Sequence, residues 1–507
     1  MGAAALSEDN SSGGRATTLR NTDRKIFRAK WALPIAGPPI ENGQVVVEGN
    51  RIAEVCAVSL GTQTVSNTDQ VIDFGDAVLM PGLVNVHTHL DYTVMRGLLE
   101  DIEFFPWVRE LTARKAVLTQ DDWEASATMG AAEAVAGGVT TIGDCTSTGA
   151  ALIGAKRLGL RGIIFQEVFG IDTRQTVAEI LAELETQLAR LSAASAGSLL
   201  TVGISPHAPY TVRAELMTAL AAFARRTNWP ICIHVAESRA EAELLRSGHG
   251  VIADAFRKRG IDWTPPQCST VAYLDACGIL GERTLLVHGV QVSASDRVTI
   301  RERRIGWAHC PKSNAKLGNG VAPLGILGDY HRTSDELDVS GNFAAPYVGR
   351  IGLGSDSVAS NNTMDMFEEM RFAVLMQRGA RHRIQTLAAR EAVEMATIGG
   401  ANALGMADEI GTLEAGKRAD LCVVRLNELH SLPAYDPYNA LVYAARASDV
   451  CLTMIDGEVR YNTADNAMGN ARFHLPLPAA DPNSDLDIAR KTLLIAAQKM
   501  RDWRPTS

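Results

Sequence analysis

Between Leu83 and Asp356 the chain alternates short apolar or β-branched runs with longer Ala-, Leu- and Glu-rich stretches. The short runs predict strands at Leu83 to His89, Val139 to Cys145, Gly162 to Phe169, Leu200 to His207, Ile231 to Val235, Thr284 to Gly289, Ile305 to His309 and Ile351 to Ser355. Asp122 to Ala136, Thr176 to Ala193, Ala214 to Arg226 and Ala240 to Arg246 repeat apolar residues at three- and four-residue spacing, which predicts helices with one buried stripe. Strand-helix units repeated in this way build a parallel sheet. Counted along the chain, these strands suit a closed (β/α)8 barrel, and a doubly wound open sheet shares the alternation.

Both flanks read differently. Gln44 to Ile52 is a hairpin with a Gly49-Asn50 turn, and Ala419 to Val424 and Thr453 to Arg460 are again short strands. Neither flank is thick enough for a domain by itself. Together, residues 25–82 and 409–475 are expected to form a small composite β-sandwich into which the barrel, residues 83–408, is inserted. The first 24 residues, with Ser11-Ser12-Gly13-Gly14, read as a flexible tail. Residues 476–507 read as a helical tail, N-capped by Ser484 and carrying Leu486, Ile488, Leu493, Leu494, Ala497 and Met500, that closes the fold or meets another subunit.

Composition narrows the function. A 507-residue chain with 46% hydrophobic and 21% charged residues can bury a large core, and its apolar runs are too short to span a bilayer. A net charge of -9 argues against a nucleic-acid partner, which requires a clustered basic face. The eight cysteines include no Cys-x-x-Cys pair, and no basic start precedes an apolar segment as in a secretion signal. Reduced cysteines in a cytoplasmic protein are the expectation.

The polar residues that interrupt the apolar strands fall at their C-terminal ends. Strand one closes in His87-Thr88-His89, strand five in His234 with Glu237 three residues on, strand six in His288, and strand eight runs into Asp356. Side chains two apart on a strand point the same way, so His87 and His89 can converge on one point. A lone histidine on an apolar strand is usually a satisfied core residue. Repetition at several strand ends, where barrel enzymes carry their chemistry, points instead to one divalent ion. Imidazoles with a carboxylate suit Zn(II), and Fe(II) or Mn(II) accept the same donors.

Ordered motifs make the comparison specific. They are Pro81 to His89, Ser205-Pro206-His207-Ala208-Pro209-Tyr210, His234-Val235-Ala236-Glu237, Val287-His288-Gly289, His309-Cys310-Pro311-Lys312-Ser313-Asn314 with Leu317-Gly318-Asn319-Gly320, Leu353-Gly354-Ser355-Asp356, and Gly411 to Leu421. Over most of its length the chain resembles the amidohydrolase superfamily, in the single-metal branch of S-adenosylhomocysteine and methylthioadenosine deaminases, guanine deaminase and the s-triazine hydrolases. The resemblance implies that His87, His89, His234 and Asp356 hold one metal ion, most readily Zn(II) with Fe(II) as the alternative. It implies that Glu237, His288 and Asp356 are catalytic. Metal-bound hydroxide would attack an amine-bearing ring carbon. Asp356 would take the proton of the water, Glu237 would carry protons to the ring nitrogen and the departing ammonia, and His288 would polarise the water or stabilise the oxyanion. A structural role for Glu237 in orienting His234 is the alternative.

The substrate is then a small nitrogen heterocycle bearing an amino group, such as a purine or nucleoside, and the enzyme is expected as a homo-oligomer without membrane or nucleic-acid partners. Alternatives are a triazine-type chloro- or alkylamino-hydrolase, an aminodeoxyfutalosine-type deaminase and, outside enzymes, an inactive barrel serving as a scaffold. Two-metal relatives bridge their ions with a lysine near strand four, and Gly162 to Phe169 and Leu200 to His207 contain none. His207 resembles the substrate-contacting histidine of the branch, or else is a turn residue between prolines. Trp107 is a stacking partner for the ring, or plain lid packing. His309 and Asn314 border the pocket or form ordinary loop. The acid and arginines with which nucleoside deaminases grip their substrate are not evident in Leu111 to Val117 or in Phe165-Gln166-Glu167-Val168, so Gln166 or Glu167 is left to bind a different polar group. The long stretch Gly325 to Ala345 is expected to cover the pocket or meet a neighbouring subunit.

Overall fold

A computed structural model of the chain describes residues 24–60, 69–324, 349–463, 472–473 and 482–504. The tail before residue 24 and the Gly325 to Ala345 stretch, for which roles are expected above, lie outside the described residues.

Eight parallel strands run in sequence order around the central sheet. They are β1 (Leu83–Thr88), β2 (Val139–Thr146), β3 (Arg161–Val168), β4 (Leu200–Pro206), β5 (Ile231–Val235), β6 (Thr284–His288), β7 (Gly306–His309) and β8 (Ile351–Leu353). Every neighbouring pair is parallel, and the ring is drawn together between its first and last strands. There Thr88 and Asp356 form a parallel bridge, the Asp356 amide donates to His87 O at 2.9 Å, and Asn85 exchanges two hydrogen bonds with Ser355. The structure is therefore a barrel rather than the doubly wound alternative.

Its interior is filled by Val84, Val86, Cys145, Phe165, Cys232, Leu285, Val287 and Ala308, all buried. Helices pack outside with capped N-termini, as at Thr119 and Thr176, where each threonine and the acid three residues on satisfy each other's backbone amides.

The flanking strands join into one nine-stranded sheet. Leu421–Arg425 from the C-terminal side pairs antiparallel with Ala77–Pro81 from the N-terminal side, which ties the two ends of the chain together. Alternation along these strands separates two faces. Leu79, Leu421 and Val423 face Phe27, Val45 and Val47 in a core of the sheet's own, whereas Val78, Met80, Cys422 and Val424 join the barrel's helical layer. The C-terminal helix spans Pro482–Asp502, so it begins two residues before the expected cap and Ser484 lies within its first turn. Proline, with φ already near the helical value, starts a helix well. That helix packs on Gln120–Ala136, where Lys499 Nζ meets Asp122 Oδ2 at 2.7 Å.

Candidate metal centre and active site

At the C-terminal mouth of the barrel the strand-end residues converge. One donor atom each from His87, His89 and His234, and one each from His87, His288 and Asp356, lie within 4.8 Å of one another. The ring centroids of His87 lie 4.9 Å from His89 and 5.0 Å from His234. All are buried.

Local backbone puts them there. Asp356, His288 and Ala236 adopt left-handed φ values of 59°, 71° and 50° just where β8, β6 and β5 end. Non-glycine residues hold such angles only when their surroundings enforce them, and each costs of order 1 kcal/mol. Close approach matters too: a Cβ on Gly354 would fall 2.8 Å from His87 Cβ and 3.0 Å from Cys310 Sγ, so only glycine lets β8 press beneath the first histidine.

Hydrogen bonds orient the donors. His234 Nδ1 donates to His207 O at 2.8 Å, which leaves its Nε2 lone pair free. Ser313 Oγ and Ser360 Oγ both donate to Asp356 Oδ2, at 2.6 and 2.9 Å. Asp356 Oδ1 is thereby turned toward His87 Nε2, 3.3 Å away, and His89 Nε2, 3.7 Å away. His87 Nε2 and His89 Nδ1 are buried without a hydrogen bond of their own. Burial alone would push the His87 imidazole down, yet Asp356 and Cys232 draw it up to about 10. Burial holds the His89 and His234 imidazoles well below their ordinary range, so their rings are neutral, and the N and O donor set fits a divalent cation.

The other polar groups ring this point. Burial, then the charges of Asp356 and Glu241, hold the Glu237 carboxyl well above the usual carboxylate range. Its Oε1 accepts from Asn319 Nδ2 at 3.2 Å and lies 3.8 Å from His288 Nε2. His288 Nδ1 donates to Asn314 Oδ1 at 2.9 Å, and burial lowers the imidazole to about 4, so the ring is neutral with its Nε2 lone pair toward Glu237. His207 Nδ1 meets Thr211 Oγ1 at 3.0 Å, and its Nε2 lies 4.0 Å from Glu167 Oε1. His309 lies within the same buried region, lowered to about 3 by burial, with both ring nitrogens lacking a hydrogen bond.

Two sequence candidates sit at the margin. Trp107 donates from Nε1 to Leu99 O at 3.3 Å and stacks on Phe104 with ring centroids 6.4 Å apart, while Phe104, Phe105, Tyr210 and Asn319 line an adjoining cavity of about 860 Å³. Gln166 donates to Glu167 O at 3.2 Å. Another cavity, of about 800 Å³, opens at the N-terminal end of the strands beside Leu200, Ile231, Leu285 and Ala403, and none of the site histidines lines it.

Other functional side chains went unmarked in the sequence. Asp144 Oδ2 accepts from Thr88 Oγ1 at 2.6 Å and from the Leu90 amide at 2.8 Å, which fixes the turn around His89. Its place near the end of an apolar strand is the same signal the histidines gave. Lys115 lies over the Tyr92 ring at 4.0 Å, and the Tyr92 ring stacks on His89. No local pattern in Thr112 to Val117 marks that lysine.

A nearly closed parallel barrel whose mouth gathers histidines and an aspartate able to hold a metal ion is the architecture of a metal-dependent hydrolase. The chain belongs to the amidohydrolase family, whose pattern it matches over residues 78–460. It is 33% identical over 429 residues to a 5-methylthioadenosine/S-adenosylhomocysteine deaminase of Moorella thermoacetica, covering 84% of this chain and 91% of that protein. A solved structure of an adenosine deaminase from Xanthomonas campestris with bound zinc superposes with a TM-score of 0.76 at 25% identity, covering 93% of this chain and 98% of the other. The atrazine chlorohydrolase of Arthrobacter aurescens TC1, complexed with zinc, shares the fold with a TM-score of 0.73 at 20% identity, covering 92% and 100%. Among the described residues no helix is long and apolar enough to cross a membrane.

Proposed function

We propose that this chain is a metal-dependent hydrolytic deaminase that replaces the exocyclic amine of a nitrogen heterocycle by oxygen and releases ammonia. The carrying observation is the convergence of His87, His89, His234, His288 and Asp356 on one buried point, in a chain whose relatives at about this identity are named as deaminases. His87, His89, His234 and Asp356 are assigned as ligands of a single Zn(II). When bound, the ion supplies the Lewis acidity that makes a nucleophilic water available near neutral pH.

The side chains divide the proton work. Asp356, with its second oxygen fixed by Ser313 and Ser360, accepts the proton of the attacking water. Glu237, kept protonated by burial, gives its proton to the ring nitrogen next to the reacting carbon, then carries the proton from Asp356 to the leaving amine. His288 donates through Nδ1 to Asn314, so its Nε2 can only accept, which assigns it to aligning the water rather than to donating toward an oxyanion. Carbon–nitrogen cleavage releases ammonia, and as the ring carbonyl forms the proton of the new hydroxyl returns to Glu237, so one water is consumed for each ammonia released.

The proposal also places the enzyme in the cytoplasm as a homo-oligomer, supported by eight unpaired cysteines and by exposed Ile488, Leu494 and Ile495 on the C-terminal helix. The test is an ammonia-release screen of the zinc-loaded chain over aminopurines, adenosine-type nucleosides, aminopyrimidines and chlorotriazines. Ammonia from an aminopurine or its nucleoside is the expected result, and chloride release from triazines with no ammonia from any compound would overturn it.

A further inference from the structure

Two of the groups assigned to the chemistry are aimed from two different chain segments. Asp356 takes its orientation from Ser313 and Ser360, and His288 takes its tautomer from Asn314. Ser313 and Asn314 lie on the short helix Pro311–Lys316 after β7, whereas Asp356 and Ser360 lie in the segment after β8, which includes the turn Val358–Asn361. Ser313 Oγ donates across the gap to Asp356 Oδ2 at 2.6 Å and meets Ser360 Oγ at 2.9 Å. A hydroxyl on one segment aims a carboxylate on another only while the two keep their spacing. Asp356 adds a demand of its own, because its left-handed φ of 59° persists only where the surroundings enforce it.

One side chain from a third element bonds to both segments. Glu369, in the first turn of the helix Met366–Arg381, is fully buried. Its Oε1 accepts from Asn361 Nδ2 at 2.6 Å, and the same Nδ2 donates at 2.5 Å to Ser355 O, the carbonyl just before Asp356. Its Oε2 accepts at 3.3 Å from the backbone amide of Lys312, the residue just before Ser313. Glu368 repeats the bridge nearer the surface, where its Oε2 accepts from Lys312 Nζ and, at 2.7 Å, from Thr363 Oγ1. The helix is itself secured by its cap, Asp365, whose Oδ1 accepts from the Phe367 amide at 2.8 Å and the Glu368 amide at 3.2 Å. Met366 and Ala373, one turn away on either side of Glu369, are buried and apolar. Burying a carboxyl among such neighbours is costly, and its hydrogen bonds tell what it is kept for.

We propose that Glu369 is a positioning residue of this active site, clamping the segment of Ser313 and Asn314 to the segment of Asp356 and so setting the aim of Asp356 and His288 together. The inference rests on the proposed ion site and deaminase reading, and adds to them a residue that acts only through others. Groups that orient metal ligands typically change metal affinity or turnover 10–100-fold when removed. Because substrate contacts are not involved, the loss falls on kcat and on zinc binding, with KM within about twofold of wild type.

The test uses the full-length protein and two variants that open the clamp from opposite sides. Glu369→Gln keeps a carbonyl for Asn361 and sets an amide nitrogen against the Lys312 amide, and Asn361→Ala releases both Glu369 and Ser355 O. Each is expected to raise the zinc dissociation constant about 10-fold in chelator competition and to lower kcat per bound zinc about 10–100-fold. Combining Glu369→Gln with Ser313→Ala should cost little more than the larger single loss, since both act through Asp356. Unchanged zinc affinity and kcat per bound zinc in the folded variants, or losses that multiply in the double variant, would overturn the clamp and leave Glu369 a residue of stability alone. A wild type that binds zinc but releases no ammonia from any compound would overturn the deaminase reading alone, because zinc affinity still reads the clamp. A wild type that binds no zinc would overturn the ion site and this inference with it.

Discussion

Strand β3 carries a charged residue at each end, and the two ends are built by opposite rules. At its start, Arg161 reaches Asp420 through two contacts of 2.7 and 3.1 Å and Asp456 at 3.0 Å, and the Asp456 amide donates to Asp420 at 2.7 Å. Every charge at this junction between barrel and flanking sheet has a partner. At the other end Glu167 faces His207 Nε2 across 4.0 Å, and the buried acids on this side of the barrel have strongly displaced protonation: burial lifts Glu167 and Glu241 to about 7 and Glu369 to about 8. A fold joins its parts with satisfied ion pairs and keeps groups of displaced protonation where a ligand is to come.

The comparison is broken most sharply by removing one charge at each end. His89→Ala or Asp356→Ala is expected to lose bound metal and to lower kcat by about 10³-fold or more, since a Lewis acid supplies several kcal/mol of barrier lowering. The melting temperature should change little, which differential scanning calorimetry beside metal analysis will show. Glu237→Gln keeps the metal and is expected to cost about 10²–10⁴-fold in kcat, the range for general acid–base work, read by steady-state kinetics.

At the junction the signs reverse. Asp420→Ala leaves Arg161 with Asp456 as its acidic partner at the junction and is expected to lower stability by about 2 kcal/mol, measured by urea unfolding, with zinc stoichiometry unaltered in the folded fraction. Acid protonation sharpens the contrast. Glu369, whose oxygens accept from Asn361 Nδ2 and the Lys312 amide, has a folded pKa of about 8 against about 4.3 in an unfolded chain. The folded state therefore binds the extra proton between those values, and stability falls as pH rises from about 4 to about 8 and levels off beyond. Glu369→Gln should flatten that slope, by up to about 5 kcal/mol across the window, in denaturant midpoints taken at successive pH values. The smallest effect belongs to the half-exposed pair that docks the last helix: Lys499→Ala is expected to cost about 0.5 kcal/mol.

Much of this was legible in the sequence, and for a physical reason. Apolar period and turn residues placed all eight barrel strands to within a few residues, because buried parallel strands must be continuously apolar. The interruption of those runs by His87, His89, His234 and His288 was visible for the same reason. What supports them was not. Ser313 and Ser360 turn Asp356 toward the histidines, but serine is common in loops and its partner lies 43 residues from Ser313. Lys115 meets Tyr92 only through the path of the loop after β1. Glu167 was legible in part: it was named with Gln166 as a polar group left for the substrate, whereas its approach to His207 Nε2, at 4.0 Å, follows only from the placing of β4 beside β3.

The central claim is that His87, His89, His234 and Asp356 form one ion site that drives hydrolysis. Stripping the purified full-length chain with a chelator and titrating Zn(II) back, while following both bound metal and ammonia release from the best substrate, tests it most directly. Activity absent in the stripped protein and saturating at one zinc per chain is the predicted result. Turnover that persists without metal, or that needs two ions per chain, would contradict it.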